Sequence, residues 1–486
     1  MEGPLSNRFF LTAWVAINLL RLLVLFQMGP MPQDAYYHLY SQQLDWSYYD
    51  HPPFIAYLLR IFSEIFGSNT WSIKLADFSV TALTQVAFYW LARALLSHSV
   101  ARLSTLLFST TLMVSILSVV STPDVPLILF WIVSMMFLYR AIFRGQSGMW
   151  ILAGLSMGFA FNSKYPALLL PIGLLGFLAL SEKYRYFLKT RWPYLSILVM
   201  ILAMSPVIWW NVVHNFASFK FHVEERSGDM TGHFIRPDFI LGLLGHQSIL
   251  LLPPLFIAVC LALKRQSHSL LKHQIRDKSL FLLCFSVPII GGFLLISPFL
   301  WIKINWLMPG YVAGILLAAP LLSHRWLRWQ GVFVVTFHLA FAIQVIWYPV
   351  PVKSDDTWYG WDQLVTQWRA LKKVYPGTFT FSSDGYKTTA VLQFLSKEKI
   401  YGRNIIGQPG LQFDFIGDDL TELKGRDAIY LNSQNQFGDL LKSGVVYPQI
   451  KPYFRYVVVL NPIVIFRNKI PVRKFQVFLC RDYLGP

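Results

Sequence analysis

The sequence predicts a mainly α, polytopic membrane protein of about eleven transmembrane helices, with amphipathic helices in its first outer loop and a C-terminal soluble α/β domain. Three observations predict it. Of 486 residues, 55% are hydrophobic and 14% charged, against roughly 25% charge in a typical globular chain, so charge is too scarce to cover a water-facing surface. Apolar runs of about 20 residues, the length that crosses a bilayer, recur through the first 350 positions. Beyond them the texture changes to short β-rich segments. The expected domains are therefore 1–350, within the membrane, and 351–486, outside it.

The runs fall at 9–28, 71–96, 100–120, 123–143, 148–163, 165–180, 193–213, 238–262, 279–297, 301–322 and 329–348. The first contains Arg21 and runs into Met-Gly-Pro-Met-Pro, which reads as a retained span rather than a cleaved signal peptide. Trp71, Trp150, Trp192, Trp209, Trp301, Trp326 and Trp347 stand near run ends, where interfacial belts form. Alternate loops differ in charge. One set holds Arg8, Arg93, Arg102, Arg140, Arg144, Lys183, Arg185, Lys189, Arg191, Lys264, Arg265, Lys272, Arg276, Lys278, Arg325 and Arg328. The other holds Arg60, Lys164, Lys220, Arg226, Arg236 and Lys303. The richer set marks the cytoplasmic side, placing the N-terminus inside and the C-terminal domain outside. The net charge of +17 is thus mostly a topology signal, and a nucleic-acid partner is not expected.

In the tail, Thr378–Ser382, Asp427–Leu431 and Tyr456–Leu460 read as strands and Tyr386–Leu395 as a helix. Cys260, Cys284 and Cys480 are too few and too scattered for a disulfide framework or a zinc site.

Polar residues gather on the outer side. In the first loop, Asp34, Tyr37, His38 and Ser41 recur at helical spacing, and Pro52-Pro53 separate this segment from an amphipathic stretch, Phe54 to Phe66. Two such helices can roof a cavity at the outer leaflet. Asp45 reads as a solvated carboxylate, whereas Asp34 and Asp50-His51 stand among aromatics and prolines. Asp124, in Thr122-Pro-Asp-Val-Pro126, fits an N-cap or a functional carboxylate. Lys164, in Ser163-Lys-Tyr-Pro166, fits a snorkelling cation or an anion ligand. The loop from His214 to Arg226, with Lys220, mixes cations and aromatics, and Lys303, Asn305 and Trp306 form a further outer group. Gly154-Leu-Ser-Met-Gly158 matches the hydrolase elbow pattern but lies inside an apolar span without a preceding strand, so Ser156 is not read as a nucleophile.

A coupled transporter places ionisable residues near the midplane in broken helices. Here they collect at one face. That suits an enzyme taking a lipid-carried substrate from the outer leaflet, with a carboxylate as general base and cations holding an anionic leaving group. Outer carboxylates could also ligate a divalent metal.

The stretches Asp34-Ala-Tyr-Tyr37 and Leu44-Asp-Trp-Ser-Tyr-Tyr-Asp-His-Pro-Pro53 resemble the first outer loop of bacterial GT-C glycosyltransferases, relatives of protein mannosyltransferases and of the lipid A aminoarabinose transferase. The resemblance continues in Thr122–Pro126, Ser163–Tyr165, Ser205–Asn211, Asn305-Trp306 and Ser382–Tyr386. It implies transfer from a polyprenyl-phosphate sugar to a lipid, glycan or protein acceptor at the outer face of a bacterial inner membrane. The family's first-loop carboxylate carries over onto Asp34, as base or acceptor anchor. Relatives usually have an Asp-Glu pair where this chain has Gln33-Asp34, so the carboxylate usually credited is here an amide. Asp124 matches a second acidic position and Lys164 a basic one. The expected site is Asp34 and Asp124 as catalytic groups, with Tyr37, Asp50, His51, Lys164, Lys220, Arg226 and Lys303 binding substrate. A lipid-linked glycan transporter and a catalytically silent polyprenyl-phosphate-binding relative are the competing readings.

Overall fold

The computed structural model describes residues 6–225, 235–434 and 447–486. The chain divides into two compact units. The first comprises Met1–Leu25, His51–Ile55 and Lys74–Ala342; the second comprises Phe26–Asp50, Ala56–Ile73 and Ile343–Pro486.

The first unit is helical. Five helices of the described chain are long and apolar enough to cross a membrane: Asn7–Gln27, Asp124–Phe143, Trp192–Val213, Asp277–Ile296 and His324–Trp347. Pro237–Leu251 and Pro253–Leu271 together form a sixth candidate, bent by 111°. Shorter apolar helices cover Met149–Ser163, Tyr165–Leu180 and Met308–Leu321. The eleven expected runs include several that are interrupted. The run 100–120 becomes His98–Ser109 and Leu112–Leu117. The run 238–262 breaks at Leu252, whose positive φ precedes Pro253-Pro254, a pair that blocks helical hydrogen bonding from both residues. The run 301–322 becomes α-helical at Met308.

Asp124–Phe143 is the central helix: 72% of its apolar window is buried, against 22% for His324–Trp347. Small residues let Met149–Ser163 approach Trp192–Val213 closely, as they do between membrane helices generally. A methyl on Gly154 would overlap the carbonyl oxygen of Ser196, and one on Gly158 would overlap Ala203. Ser156 donates to the Ala153 carbonyl and receives a bond from Ser134. The Gly-x-Ser-x-Gly pattern is therefore a packing seam. In Thr70–Leu95, buried Lys74 donates to the Val119 carbonyl at 2.7 Å, and buried Asp77 accepts from Ser121 at 2.6 Å. Both bonds brace the turn that leads into Asp124.

The second unit joins the first-loop helices to the tail. Pro32–Gln42 and Phe54–Phe66 form where the spacing of polar and apolar residues placed them, though Phe54 and Ile55 themselves fall within the first unit. Pro32–Gln42 packs against Lys387–Ser396. The tail carries a mixed sheet of β1 (Phe379–Ser382), β2 (Ala428–Gln434), β3 (Phe454–Val459), β4 (Ile463–Arg467) and β5 (Ile470–Tyr483). Its order is β1-β2-β5-β3, with β4 also paired to β5 and β1 parallel to β2. Phe381, Tyr430, Phe454 and Phe478 pack into its core.

The glycine seam gives a stability prediction. Gly154→Ala should lower the melting temperature of the purified protein, because the added methyl has no room and overpacking costs about 1–3 kcal/mol. Gly176→Ala, where a methyl meets nothing within 4 Å, should leave it unchanged or raised. Equal melting temperatures for the two variants would contradict the seam.

Candidate active site

In the first unit, a buried carboxylate and a buried ammonium face each other. Pro123, with φ −58°, starts the helix at Asp124, so the carboxylate stands at a helix N-terminus, where backbone amides and the macrodipole favour negative charge. Lys164 ends Met149–Ser163 in extended backbone, φ −162° and ψ 138°, before Pro166. Its Nζ donates to Oδ1 and Oδ2 of Asp124, both at 2.8 Å. The two side chains are 8% and 1% exposed. Asn305 Nδ2 donates to Asp124 Oδ2 at 2.6 Å. The N-cap reading of Asp124 gives way to this ion pair: the helix's N-cap is Pro123.

Three donors thus converge on a group with about four acceptor positions, while an ammonium has three N–H donors and this one spends two on Asp124. The pair leaves Lys164 a third donor. Beside it, Tyr165 hydrogen-bonds Ser218 at 2.6 Å, and its ring meets His222 edge-on with centroids 4.9 Å apart. His222 lies 5.9 Å from the ring of His51. The loop that delivers Ser218 and His222 turns sharply, with positive φ at Asn215 and Phe216, and the Asn211 side chain accepts from Phe219 N. The structure therefore gathers Asp124, Lys164, Asn305, Tyr165, Ser218, His222 and His51. Lys220 and Lys303 are exposed, and no described hydrogen bond or ion pair connects either side chain to Asp124 or Lys164. Arg226 lies outside the described residues. Asn305, Tyr165, Ser218 and His222 were missing from the expected site, although Asn305 did stand in one of the outer polar groups. A pairing across 53 residues leaves no local signal, although His222 did stand in the mixed cation–aromatic loop.

The second unit holds the other predicted carboxylates. Asp34, 1% exposed, accepts from the backbone N–H of Met31 at 2.9 Å in the first turn of Pro32–Gln42. Gln33 donates to Asp356, which also pairs with Lys387. Buried Asp50 accepts from the hydroxyls of Tyr40 and, at 3.4 Å, Tyr36. Tyr36 stacks on Tyr386 with centroids 4.3 Å apart, and its oxygen accepts from Gln412 N. Burial, together with the charge of Asp50, raises the Tyr36 pKa well above the phenol range, so it remains a donor. Tyr37 packs on Tyr36 and Tyr40. Asp45 is exposed and accepts from Trp46 N, as a solvated turn residue does. Burial, helped by Lys397 and Arg60, lowers the His38 pKa to about 4 and keeps its ring neutral at physiological pH. Among the described residues no three His, Cys, Asp or Glu side chains are placed to hold a metal ion.

Removing one partner of a buried ion pair strands the other charge, at about 3–5 kcal/mol. Lys164→Met should therefore destabilise the purified protein severely, and adding Asp124→Asn should restore much of the loss. A double variant as unstable as the sum of the two single variants would show that the pair is not coupled.

The family described as dolichyl-phosphate-mannose-protein mannosyltransferase matches residues 50–210, a stretch that includes Asp50, His51, Asp124 and Lys164. The lipid A galacturonosyltransferase RgtD of Rhizobium johnstonii is 25% identical over 295 residues, 60% of each chain. An undecaprenyl phosphate-α-4-amino-4-deoxy-L-arabinose arabinosyl transferase of Pectobacterium atrosepticum is 29% identical over 178 residues, 35% of this chain and 31% of the relative. Both matches span less than two thirds of the relative's length. In fold, ArnT of Cupriavidus metallidurans, crystallised with undecaprenyl phosphate, superposes with a TM-score of 0.64 at 14% identity, over 97% of this chain and 98% of that one. An oligosaccharyltransferase of Archaeoglobus fulgidus gives 0.52 at 13% identity, over 82% and 64%. The chain is thus similar to the protein mannosyltransferase family over residues 50–210, to a lipid A galacturonosyltransferase and an aminoarabinose transferase over part of its length, and in fold to ArnT over nearly all of it.

Proposed function

We propose that the protein is an inverting glycosyltransferase of the bacterial inner membrane. It moves a sugar from a polyprenyl-phosphate donor to a lipid A-type or other envelope acceptor at the outer face. The observation that carries this reading is the buried Lys164 ammonium, fixed by both oxygens of Asp124 with one N–H to spare. A fixed cation in a water-poor site is what a departing lipid phosphate requires. The name of the Pectobacterium atrosepticum relative supports the same donor chemistry, and that of the Rhizobium johnstonii relative a lipid A acceptor.

In the reaction, an acceptor hydroxyl oxygen bonds to the anomeric carbon as the bond from that carbon to the phosphate oxygen breaks. The hydroxyl proton passes to a carboxylate, and the polyprenyl phosphate leaves with the electron pair. The base is assigned to Asp34 from its place in the motif, and Asp124 orients Lys164. His51, Lys220 and Arg226 are the further ligands assigned to the donor phosphate, while Tyr37, Asp50 and Lys303 bind substrate. The N-terminus is cytoplasmic in this reading and the 351–486 domain periplasmic. One observation favours a second reading: Gln33, at the position where relatives carry a carboxylate, is an amide engaged with Asp356, as a catalytically silent lipid binder would allow.

The test uses purified protein, a polyprenyl-phosphate sugar and a membrane lipid extract, with mass spectrometry for free carrier and glycosylated product. Wild type should form both. Asp34→Asn keeps an acceptor oxygen for Met31 N but removes the base. It should melt like wild type while turnover falls about 10²–10⁴-fold. Near-normal transfer by Asp34→Asn, with loss in Asp50→Asn, would move the base to Asp50. No consumption of any donor by wild type would sink the enzyme reading.

A further inference from the structure

The proposed reaction uses one end of the first unit. At the other end lie three neighbouring cavities to which it gives no role. Asp124–Phe143 has 20 residues, about 30 Å at 1.5 Å per residue, so Arg144 stands about a hydrocarbon thickness away from Asp124, with Arg140 one turn nearer.

The first cavity, about 440 Å³, is lined by Lys183, Arg265, Arg276 and Lys278 together with Asp277 and Tyr184. The second, about 810 Å³, shares Arg265 with the first and adds Lys264, His268 and Trp326. Its apolar wall includes Leu261 and Leu271, which are 52% and 79% exposed. The third, about 570 Å³, is lined by Arg93, Arg140 and Arg144 beside Trp90 and Tyr139. Lys278 links the first to the third: it donates to the Ala94 carbonyl at 3.1 Å and sits 5.6 Å over the Tyr139 ring.

Eight cations therefore line adjoining walls that hold one acid, Asp277, whose carboxylate accepts from Ser181. Among the described residues none of the eight is in an ion pair. Charge bias between loops explains an excess of cations on one side of a membrane. It does not require them to converge on concave walls that continue into exposed leucines. That combination matches the boundary between a phosphate headgroup and its acyl chains.

We propose that these cavities bind the phosphate headgroup of an anionic diacyl lipid, in the leaflet opposite the Asp124–Lys164 site. The phosphate bridges Arg265, Arg276 and Lys278, and the acyl chains leave along Leu261 and Leu271.

The full chain is tested in nanodiscs of phosphatidylethanolamine with a titrated fraction of phosphatidylglycerol, and bound lipid is counted by native mass spectrometry. Wild type should retain phosphatidylglycerol over phosphatidylethanolamine. Arg265→Gln with Arg276→Gln should weaken that binding by about 30-fold, a factor of roughly five per cation. Arg265→Lys with Arg276→Lys should hold it within a few fold, separating charge from folding. Lys189→Gln with Arg191→Gln removes the same charge from the same set of loops outside the cavities, and should change nothing. Three results would overturn the proposal: equal loss in that control, which indicates a diffuse surface field; equal retention of both lipids; or displacement of phosphatidylglycerol by millimolar inorganic phosphate, which indicates a small-anion site.

Discussion

A carboxylate or an ammonium buried alone costs several kcal/mol, and a buried pair persists only where its geometry is good and further hydrogen bonds complete it. Lys164 and Asp124 meet that condition: the ammonium reaches both carboxylate oxygens at 2.8 Å, and Asn305 adds a third donor. The pair fixes the start of Asp124–Phe143 against the end of Met149–Ser163, and Asn305 brings in the stretch before Met308. Prolines at 123, 126 and 166 limit the backbone on both sides. Behind the carboxylate, Lys74 and Asp77 brace the preceding turn at Val119 and Ser121. Tyr165 and, through it, His222 and Ser218 take their positions from the residue next to Lys164.

Three of the buried carboxylates, Asp124, Asp50 and Asp34, face three different kinds of partner. Asp124 faces an ammonium and is committed to holding it. Asp50 faces phenol hydroxyls that the tail of the second unit orients through Tyr386 and Gln412. Asp34 accepts a backbone amide at a helix start. The charges at the far end of the first unit follow a different pattern: eight cations line adjoining cavities that hold one acid, Asp277.

Patterns confined to one segment were legible in the sequence. The amphipathic stretch 54–66, the helical spacing of Asp34 to Ser41, the helix expected at 386–395 and the three expected strands all appear, with ends shifted by up to three residues. The grouping of Asp124, Lys164 and Asn305 on one side was legible too, but their bonds were not. Asp124 and Lys164 are 40 residues apart, Asp124 and Asn305 are 181 apart, and local spacing carries no information at that range. A carboxylate beginning a helix after proline reads equally as a cap. The breaks were hidden for another reason: hydropathy averages over Leu252-Pro253-Pro254 and sees one apolar run where the backbone bends by 111°. Tyr36, Tyr386 and Gln412 are hydrogen-bonded or stacked across more than three hundred residues, so the support of Asp50 appeared only in three dimensions.

The central claim is that the Lys164 ammonium, held by Asp124, recognises the phosphate of a polyprenyl carrier. The most direct measurement compares binding of undecaprenyl phosphate with that of undecaprenol, which has the same chain and no phosphate. Wild type should prefer the phosphate strongly, and the Lys164→Met, Asp124→Asn double variant, which removes the ammonium without stranding the carboxylate, should bind the two lipids with similar affinity. An undiminished preference in that double variant would contradict the account.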